Sequence, residues 1–262
     1  MSNQVTQVSN TQAQVNHLVG KVAFVQGGSR GIGAAIAKRL ARDGAAVALT
    51  YASSPDKAQE VVNEITAAGG RAIAIKADSA DAAQLKAAIN QAADTYGKID
   101  ILVNNAGVLA LGNVADAEFS LEDIDRTLAV NVRSVIVASQ AVVKHMDKGG
   151  RIITIGSTNS DRMPFQGGSI YAMSKAAIVG LTKGLARDLG PLGITVNNIQ
   201  PGPIDTEMNP ANSDFAESLL GLMASGRYGT VEEVASFASY LAGPEAAYIT
   251  GASLLIDGGF AA

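Results

Sequence analysis

The sequence predicts a single α/β domain in which about seven parallel strands form a doubly wound sheet with helices on both faces. From Lys21 onward, short runs of β-branched and apolar residues alternate with longer segments of helical period. Several of the short runs are apolar nearly throughout, as expected for strands buried on both faces. The predicted strands are Val22–Gln26, Ala46–Tyr51, Ala72–Lys76, Ile101–Val103, Arg151–Ile155, Thr195–Ile199 and Ser253–Ile256.

Residues that start and stop helices agree with this pattern. The segment Ile32–Asp43 ends at Gly44, and Asp81–Tyr96 ends at Gly97, because glycine is the residue that most readily terminates a helix. The dipeptide Ser54-Pro55 resembles a helix cap followed by a proline in the first turn. No break in composition follows residue 20, so we expect residues 20–262 to form one continuous domain.

The N-terminal residues 1–19 are rich in Gln, Asn, Ser and Thr and are expected to form a flexible tail. They lack the basic start and the apolar stretch of a secretory signal. Every apolar run in the chain ends well before the length of about 20 residues that crosses a bilayer. These features predict a cytoplasmic protein with no membrane partner.

Composition excludes several classes of function. The chain has 262 residues with a formal net charge of −4, and its basic residues are dispersed, so we expect no nucleic-acid partner. It has no cysteine, which excludes disulfides, thiolate metal ligands and a cysteine nucleophile. The two histidines, His17 and His145, stand apart in the sequence and favour surface or packing roles, so no metal site is predicted.

The first strand leads directly into the segment Gly27–Gly33, which reads GGSRGIG and opens the next helix. In a βαβ unit this geometry places backbone N–H groups and the positive end of a helix dipole against a pyrophosphate. The chain therefore predicts a Rossmann-type domain with a nucleotide at this turn. Taken alone, the same glycines also fit a tight strand-to-helix connection, so the interpretation depends on the rest of the chain.

The end of the second strand indicates which coenzyme is used. A protein that uses NAD places an acidic side chain there against the ribose hydroxyls, whereas this chain has Tyr51, Ser53 and Ser54. Arg30 in the glycine turn can pair with a 2′-phosphate, so NADP is favoured over NAD. Asp56 could bend back towards the ribose, but a first-turn acid of the following helix explains it more simply.

Tyr171 and Lys175 lie four residues apart at the start of a long helical segment and therefore share one face. Ser157 follows the strand Arg151–Ile155, at the end of the strand where catalytic groups of open α/β sheets collect. Alone, each residue has a simpler explanation, which for Ser157 is a cap or turn hydroxyl. Together they predict hydride transfer to a carbonyl, with Tyr171 as proton donor, Ser157 as hydrogen-bond donor and a Lys175 ammonium that favours the tyrosinate.

With these motifs in order, the chain resembles the short-chain dehydrogenase/reductase family over nearly all of Lys21–Phe260. The resemblance rests on the glycine turn, on Asn104–Gly107 after the fourth strand, and on a catalytic tetrad. The tetrad residues are Asn131, Ser157, Tyr171 and Lys175. Within the family, the sequence is most similar to 3-oxoacyl-carrier-protein-reductase-like carbonyl reductases and to a biofilm-dispersal mediator subgroup.

The resemblance implies further roles for individual residues. Asp78 would contact the adenine, Asn131 would hold Lys175 through water, Lys175 would also contact the nicotinamide ribose, and Pro201–Thr206 would cover the nicotinamide amide. The full set of residues expected to bind coenzyme is Gly27, Ser29, Arg30, Gly31, Ile32, Tyr51, Ser53, Ser54, Asp78, Ser79, Asn105, Ala106, Gly107, Tyr171, Lys175, Pro201, Gly202, Ile204 and Thr206.

One residue departs from the family pattern. Gln26 stands where the family usually has a threonine, whose hydroxyl ties the glycine turn to the Asn-Ala-Gly strand. Two outcomes remain open: the longer amide makes an equivalent bond, or the turn is held less firmly. The resemblance also implies a homotetramer that assembles through Asn131–Lys144, Tyr171–Leu189 and the C-terminal strand.

These observations predict an NADP(H)-dependent carbonyl reductase or alcohol dehydrogenase. Its substrate pocket is expected under a cover at Met208–Met223 and is expected to take a medium-sized apolar or aromatic ketone. The candidate pocket residues are Leu109, Met163, Phe165, Leu219 and Leu222. The alternative is a regulatory protein that binds cyclic di-GMP without turnover, since Ser157–Pro164 and Pro201–Thr206 are similar to segments of the biofilm-dispersal mediator subgroup.

Overall fold

A parallel sheet forms the centre of the protein in the computed structural model, which describes residues 16–116 and 119–262. In these residues the sheet has seven strands in the order β3-β2-β1-β4-β5-β6-β7, and all neighbouring pairs are parallel. The strands are β1 (Val22–Gln26), β2 (Ala46–Tyr51), β3 (Arg71–Lys76), β4 (Ile101–Asn104), β5 (Arg151–Ile155), β6 (Thr195–Pro201) and β7 (Ser253–Ile256).

Helices cover both faces of this sheet. They are α1 (Gly31–Arg42), α2 (Pro55–Ala67), α3 (Ala82–Tyr96), α4 (Leu121–Leu128), α5 (Ser134–Val143), α6 (Ser169–Leu189), α7 (Asp214–Leu220) and α8 (Val231–Ala242). Apolar side chains of α1, α2 and α8 form the core on one face, and those of α3, α5 and α6 form the core on the other. The predicted α/β, doubly wound, Rossmann-type fold is therefore confirmed.

The strand order creates a crevice for a ligand between β1 and β4. The chain winds outward in one direction through β1, β2 and β3, and in the other direction through β4 to β7. Ligands of open α/β sheets bind where the winding reverses, outside the carboxyl ends of the strands. Gln26 at the end of β1 pairs in register with Asn104 at the end of β4, so the loops that follow these strands start side by side.

Strand boundaries differ from the predictions by one or two residues. β3 starts one residue earlier, at Arg71, and β4 and β6 run on to Asn104 and Pro201. Asp81 caps α3 by accepting hydrogen bonds from the backbone of Ala83 and Gln84, and Gly97 ends that helix with φ of 85°. Ser54 occupies the cap position of α2, but its side chain makes no capping bond.

Packing of the domain begins a few residues before the expected boundary at residue 20. Leu18 is only 1% exposed, and its backbone N–H donates to the carbonyl of Asp43 at 2.9 Å. The end of the expected tail therefore packs against the loop after α1, while residues 1–15 lie outside the described residues. Among the described residues, no helix combines the length and the hydropathy needed to cross a membrane.

Candidate active site

A cavity of about 630 Å³ opens at the carboxyl ends of the strands. Every residue predicted above to bind coenzyme lines it, from Gly27 after β1 to Thr206 after β6, and so does Ser157. Asn131 does not line the cavity and lies behind its wall, 2% exposed. The structure thus brings the separate sequence motifs to one place.

The glycine turn forms a tight floor at one end of the cavity. Gly27 has φ of 69°, in the left-handed region, and its N–H donates to Thr50 Oγ1 at 3.0 Å. A Cβ atom added to Gly33 would lie 2.2 Å from the Gly27 carbonyl oxygen and 2.4 Å from Asn105 Nδ2. Only glycine fits there, because α1 starts directly against the turn that would hold a phosphate.

The glycine turn is held to the loop after β4 without the usual threonine. The Gln26 side chain is fully buried, and its amide nitrogen and oxygen have no hydrogen-bond partner among the described residues. Instead, Asn105 Nδ2 donates to the Gly27 carbonyl at 2.9 Å and lies 3.3 Å from the Gln26 carbonyl. The link between the turn and the loop after β4 therefore comes from Asn105, and Gln26 does not replace the threonine hydroxyl.

Charged side chains gather where the ribose phosphate is expected. Glu207, which follows Thr206, lies with its Oε1 2.5 Å from Lys57 Nζ and its Oε2 3.6 Å from Arg30 Nη1. The hydrogen bond and charge of Lys57, with a smaller effect of Arg30, hold the pKa of Glu207 below its usual value. Sequence reasoning missed Lys57 and Glu207, since 150 residues separate them along the chain.

Asp78, the acidic residue after β3, forms an ion pair with Arg126. Asp78 Oδ2 accepts a hydrogen bond from Arg126 Nη1 at 2.9 Å, and Asp78 Oδ1 accepts one from the backbone of Ala80 at 2.9 Å. The bond from Arg126 holds the pKa of Asp78 below its usual value. Arg126, on α4, also lines the cavity and was not predicted, because no local motif marks it.

Tyr171 and Lys175 stand in the first two turns of α6. Burial raises the pKa of Tyr171, and a hydrogen bond with Ser157 lowers it in part. Lys175 is 6% exposed, its Nζ donates to the Ile155 carbonyl at 2.9 Å, and burial lowers its pKa to about 8. The net shift of the Tyr171 pKa is upward, because desolvation of the phenol outweighs the hydrogen bond with Ser157, and Lys175 Nζ lies 5.7 Å from the centre of the tyrosine ring.

Ser157 holds its hydroxyl at the cavity wall through a short turn after β5. Its Oγ accepts a hydrogen bond from the Asn159 backbone at 3.1 Å and donates to Asn159 Oδ1 at 3.2 Å. The side chain is 6% exposed and lines the cavity. Ser157 is therefore a helix-cap hydroxyl, as the simpler interpretation predicts, and it also contacts Tyr171.

Asn131 lies in a π-helical turn, Ala129–Arg133, between α4 and α5. Its Oδ1 accepts from the Val108 backbone N–H at 2.9 Å, and its Nδ2 donates to the Val108 carbonyl at 2.9 Å and to Ser174 Oγ at 3.0 Å. Ser174 in turn donates to the Tyr171 carbonyl at 2.7 Å. Asn131 thus joins the loop after β4 to the helix that carries the tyrosine.

Gly107 marks the shared space between Asn131 and Lys175. A Cβ atom added at Gly107 would lie 3.6 Å from Asn131 Oδ1 and 3.7 Å from Lys175 Nζ. The two polar groups therefore border the same small volume next to the cavity. This placement is compatible with the expected water-mediated contact.

The segment Pro201–Thr206 lines the cavity and runs from the end of β7 to the glycine turn. A Cβ atom added to Gly202 would lie 2.7 Å from the Cα atom of Asp257, so the chain passes close to the end of β7. Thr206 lies near the turn, since a Cβ atom on Gly31 would be 3.6 Å from Thr206 Cγ2. Pro201–Thr206 therefore connects the region at the end of β7 with the glycine turn along the cavity wall.

Comparisons with known proteins agree with this geometry. Residues 27–261 match a family model described as Enoyl-(acyl carrier protein) reductase. A solved short-chain dehydrogenase/reductase from Serratia marcescens is 66% identical, with a TM-score of 0.92 over 94% of this chain and 100% of that chain. The chain belongs to the short-chain dehydrogenase/reductase family.

Two further relatives bear on function. A short-chain dehydrogenase from Burkholderia cenocepacia, solved in complex with NADP, is 54% identical, with a TM-score of 0.92 over 94% of this chain and 100% of that chain. The cyclic-di-GMP-binding biofilm dispersal mediator protein of Escherichia coli (strain K12) is 47% identical over 93% of this chain and 98% of its own length.

In this short-chain dehydrogenase/reductase, the end of the cavity beyond Tyr171 is apolar. Three of the predicted pocket residues, Leu109, Phe165 and Leu219, line it. Phe215 and Phe260, which were not predicted, line it as well, and the rings of Phe165 and Phe215 meet edge to face at 5.3 Å. An aromatic wall therefore faces the expected position of the substrate.

Two predicted pocket residues are not among the lining side chains. The Met163 side chain packs against Gly168, since its Cε atom occupies the space that a Cβ atom at Gly168 would take. Leu222 packs against the cluster that contains Tyr228 and Phe260. Within the expected cover Met208–Met223, Met208 and Asn209 line the cavity, and the segment contains α7. Among the described residues, no group of three His, Asp or Glu side chains is placed to hold a metal ion.

Proposed function

We propose that this protein is an NADP(H)-dependent oxidoreductase that interconverts a ketone or aldehyde with an alcohol, and that Tyr171 is its general acid and base. The observation that carries the proposal is that one cavity is lined both by the glycine turn and by Tyr171, Ser157 and Lys175. Family membership makes oxidoreductase chemistry the expected use of such a cavity.

The cavity fits a dinucleotide coenzyme. Because Gly33 has no side chain, α1 starts directly against the Gly27 carbonyl and Asn105, and its first residues, Gly31 and Ile32, line the cavity. Ser29, Gly31 and Ile32 would hold the pyrophosphate, and Asp78 and Ser79 would hold the adenine end. A nicotinamide coenzyme bound there would supply the hydride or accept it.

The chain's own groups provide the proton chemistry. Tyr171 is neutral at pH 7, since burial raises its pKa, and its phenolic O–H can donate a proton to the substrate oxygen during reduction. The Ser157 hydroxyl can donate a hydrogen bond to the same oxygen as negative charge develops on it. Lys175, fixed by the Ile155 carbonyl, supplies positive charge beside the tyrosine. Oxidation uses the same groups in reverse.

The second strand favours NADP over NAD. Its end carries Tyr51, Ser53 and Ser54 on the cavity and no carboxylate, while Arg30 lies across from them. The Ser54 hydroxyl, which makes no capping bond, is available to a phosphate oxygen. The Burkholderia cenocepacia relative in complex with NADP supports this choice of coenzyme for the present chain.

The aromatic wall of Phe165, Phe215 and Phe260 favours a medium-sized apolar or aromatic carbonyl substrate. We further propose that the protein works in the cytoplasm as a homotetramer. A chain without cysteine suits a reducing compartment. Assembly through α5 and α6 would cover exposed apolar side chains on these helices, namely Ile136 and Met173.

Binding of cyclic di-GMP is the second candidate, favoured by the 47% identity with the cyclic-di-GMP-binding biofilm dispersal mediator protein of Escherichia coli. That function needs no general acid. The convergence of Tyr171, Ser157 and Lys175 in one wall of the cavity therefore favours turnover over binding alone.

The test of this proposal is the absorbance at 340 nm of purified protein with NADPH or NADH, against a panel of aromatic and aliphatic ketones and aldehydes. We expect oxidation of NADPH that depends on the carbonyl compound and is faster than oxidation of NADH. Faster oxidation of NADH would contradict the choice of coenzyme. Saturable binding of cyclic di-GMP together with no turnover on the whole panel would favour the second candidate.

A further inference from the structure

Glu207, which lies between Thr206 and the expected cover Met208–Met223, lines the cavity and forms ion pairs with two cations from other parts of the chain. Its carboxylate contacts Lys57 Nζ at 2.5 Å, in the first turn of α2, and Arg30 Nη1 at 3.6 Å, in the glycine turn. One anion therefore links three separate parts of the chain: the segment after β6, the start of α2 and the turn after β1.

The ion pairs of Glu207 with Arg30 and Lys57 can break and re-form. The side chains of Glu207, Arg30 and Lys57 are 57%, 57% and 44% exposed, so water can replace each contact as it breaks. Exposed ion pairs of this kind contribute little to stability. Glu207 is ionised at neutral pH, because Lys57 lowers its pKa. The bridge is therefore a weak contact between charged groups, in contrast to the buried bonds of Asn105 and Asn131.

The bridge lies where the adenosine phosphate of NADP would bind. Arg30, Ser53, Ser54 and Glu207 all line the cavity, and Lys57, which does not line it, lies in the first turn of α2 beyond Ser54 and reaches its edge through the contact with Glu207. A phosphate dianion at this place would bind the two cations that Glu207 now contacts. Its charge-assisted hydrogen bonds to them would be stronger than those of the Glu207 carboxylate. The phosphate and Glu207 cannot both pair fully with the same two groups.

We propose that Lys57 is a second cation for the coenzyme's 2′-phosphate, and that Glu207 is a displaceable anion that competes with this phosphate for Lys57 and Arg30. The two residues thereby set the preference between NADPH and NADH. This inference rests on the proposed NADP(H) function of the cavity.

The ion pairs of Glu207 affect the binding of NADPH and of NADH differently. NADPH must displace Glu207, and its phosphate then lies near a carboxylate of the same sign. NADH carries no phosphate at this position, so Glu207 keeps its cations and no like charges meet. Removal of the Glu207 charge therefore strengthens binding of NADPH alone, and removal of the Lys57 charge weakens binding of NADPH alone.

The experiment measures the Kd of NADPH and of NADH by isothermal titration calorimetry, without substrate, for the full chain and two variants. We expect Glu207→Gln to lower the Kd of NADPH about threefold to fivefold, the range of an exposed charge pair. We expect Lys57→Gln to raise it about tenfold, through loss of a charge-assisted hydrogen bond. The Kd of NADH should stay within about twofold in both variants, and the NADPH effects should shrink at high salt.

The control is Glu64→Gln. Glu64 pairs with Lys38 at 2.5 Å and has a side chain that is 59% exposed, so the variant removes the same charge from a similar pair outside the cavity lining. It should leave both Kd values unchanged. Equal shifts for NADPH and NADH, or no shift in either variant, would overturn this inference while the proposed function stands. Unmodified protein that binds neither coenzyme would overturn the proposed function, and this inference with it.

Discussion

Gly33 is the residue at which one added methyl group has the clearest expected effect. A Cβ atom there would overlap the Gly27 carbonyl oxygen at 2.2 Å and Asn105 Nδ2 at 2.4 Å. We predict that Gly33→Ala lowers the free energy of unfolding by about 1–3 kcal/mol, the usual cost of overpacking, and abolishes binding of NADPH. Urea unfolding and calorimetry measure the two effects.

Gly190→Ala is the matched control. Gly190 has φ of −53°, and an added Cβ atom there has no neighbour within 4 Å. Its affinity for NADPH should match that of the unmodified protein, and its free energy of unfolding should differ by less than about 1 kcal/mol, because the lower entropy of the unfolded chain and the contact with Pro191 act in opposite directions. A Gly33→Ala protein that binds NADPH as tightly as the control would show that the turn is not a phosphate site.

Individual residues were predictable where a local motif marks them. The glycine turn, Asn105 and the Tyr171–Lys175 pair each follow a strand or begin a helix, and the structure places them on one cavity. Arg126 and Glu207 were missed because they enter the site through pairs with Asp78 and Lys57, which lie far away along the chain. Hydrophobicity alone could not separate Phe215, which lines the cavity, from Met163 and Leu222, which do not.

At the scale of elements, Asn131 connects the loop after β4 with α6. Truncation to alanine removes its hydrogen bonds to the Val108 backbone and to Ser174, in a buried place where water does not replace them. We predict that Asn131→Ala lowers the free energy of unfolding by about 1–3 kcal/mol, the cost of buried groups left without partners. Urea unfolding provides the measurement.

Ser174→Ala provides the comparison, because it removes one of the three bonds made by Asn131, together with the bond from Ser174 to the Tyr171 carbonyl. It should cost less than Asn131→Ala. An equal cost for the two variants would place the role of Asn131 in the contact with α6 alone. No cost for Asn131→Ala would contradict the link between the two elements.

The elements themselves were largely predictable, except where the backbone leaves regular geometry. The expected helix Asn131–Lys144 is instead a π turn at Ala129–Arg133 followed by α5, and apolar periodicity does not reveal one extra residue in a turn. This turn carries Asn131. The sequence also predicts a serine cap for α2. Ser54 occupies the cap position, but its hydroxyl makes no capping hydrogen bond, and the residue lines the cavity.

At the scale of the molecule, the fold class followed from the sequence because strands buried on both faces give nearly continuous apolar runs. β1, β4 and β5 are buried at every position, as this argument requires. The residue at which the packed domain begins could not be predicted from the sequence. Leu18 packs into the core from within a polar stretch, and a single buried side chain gives no periodic pattern.

The proposed homotetramer gives a prediction at this scale. Light scattering should find a particle of about four times the 26.7 kDa chain mass. Ile136→Glu, on the expected interface helix α5, should reduce that mass, because the new charge cannot be buried without a partner. Val19→Glu changes an exposed side chain away from α5 and α6 and should leave the mass unchanged. A monomer in the unmodified protein would contradict the assembly.

The most direct test of the central claim compares Tyr171→Phe with the unmodified protein in two measurements on the same samples: carbonyl-dependent oxidation of NADPH at 340 nm, and the Kd of NADPH. The account predicts a fall of about 100-fold or more in kcat/KM, the usual contribution of a general acid. The Kd should stay within about twofold, since the phenol hydroxyl contributes to proton transfer far more than to binding. A variant that keeps the full rate would contradict the role of Tyr171 and, with it, the proposed mechanism.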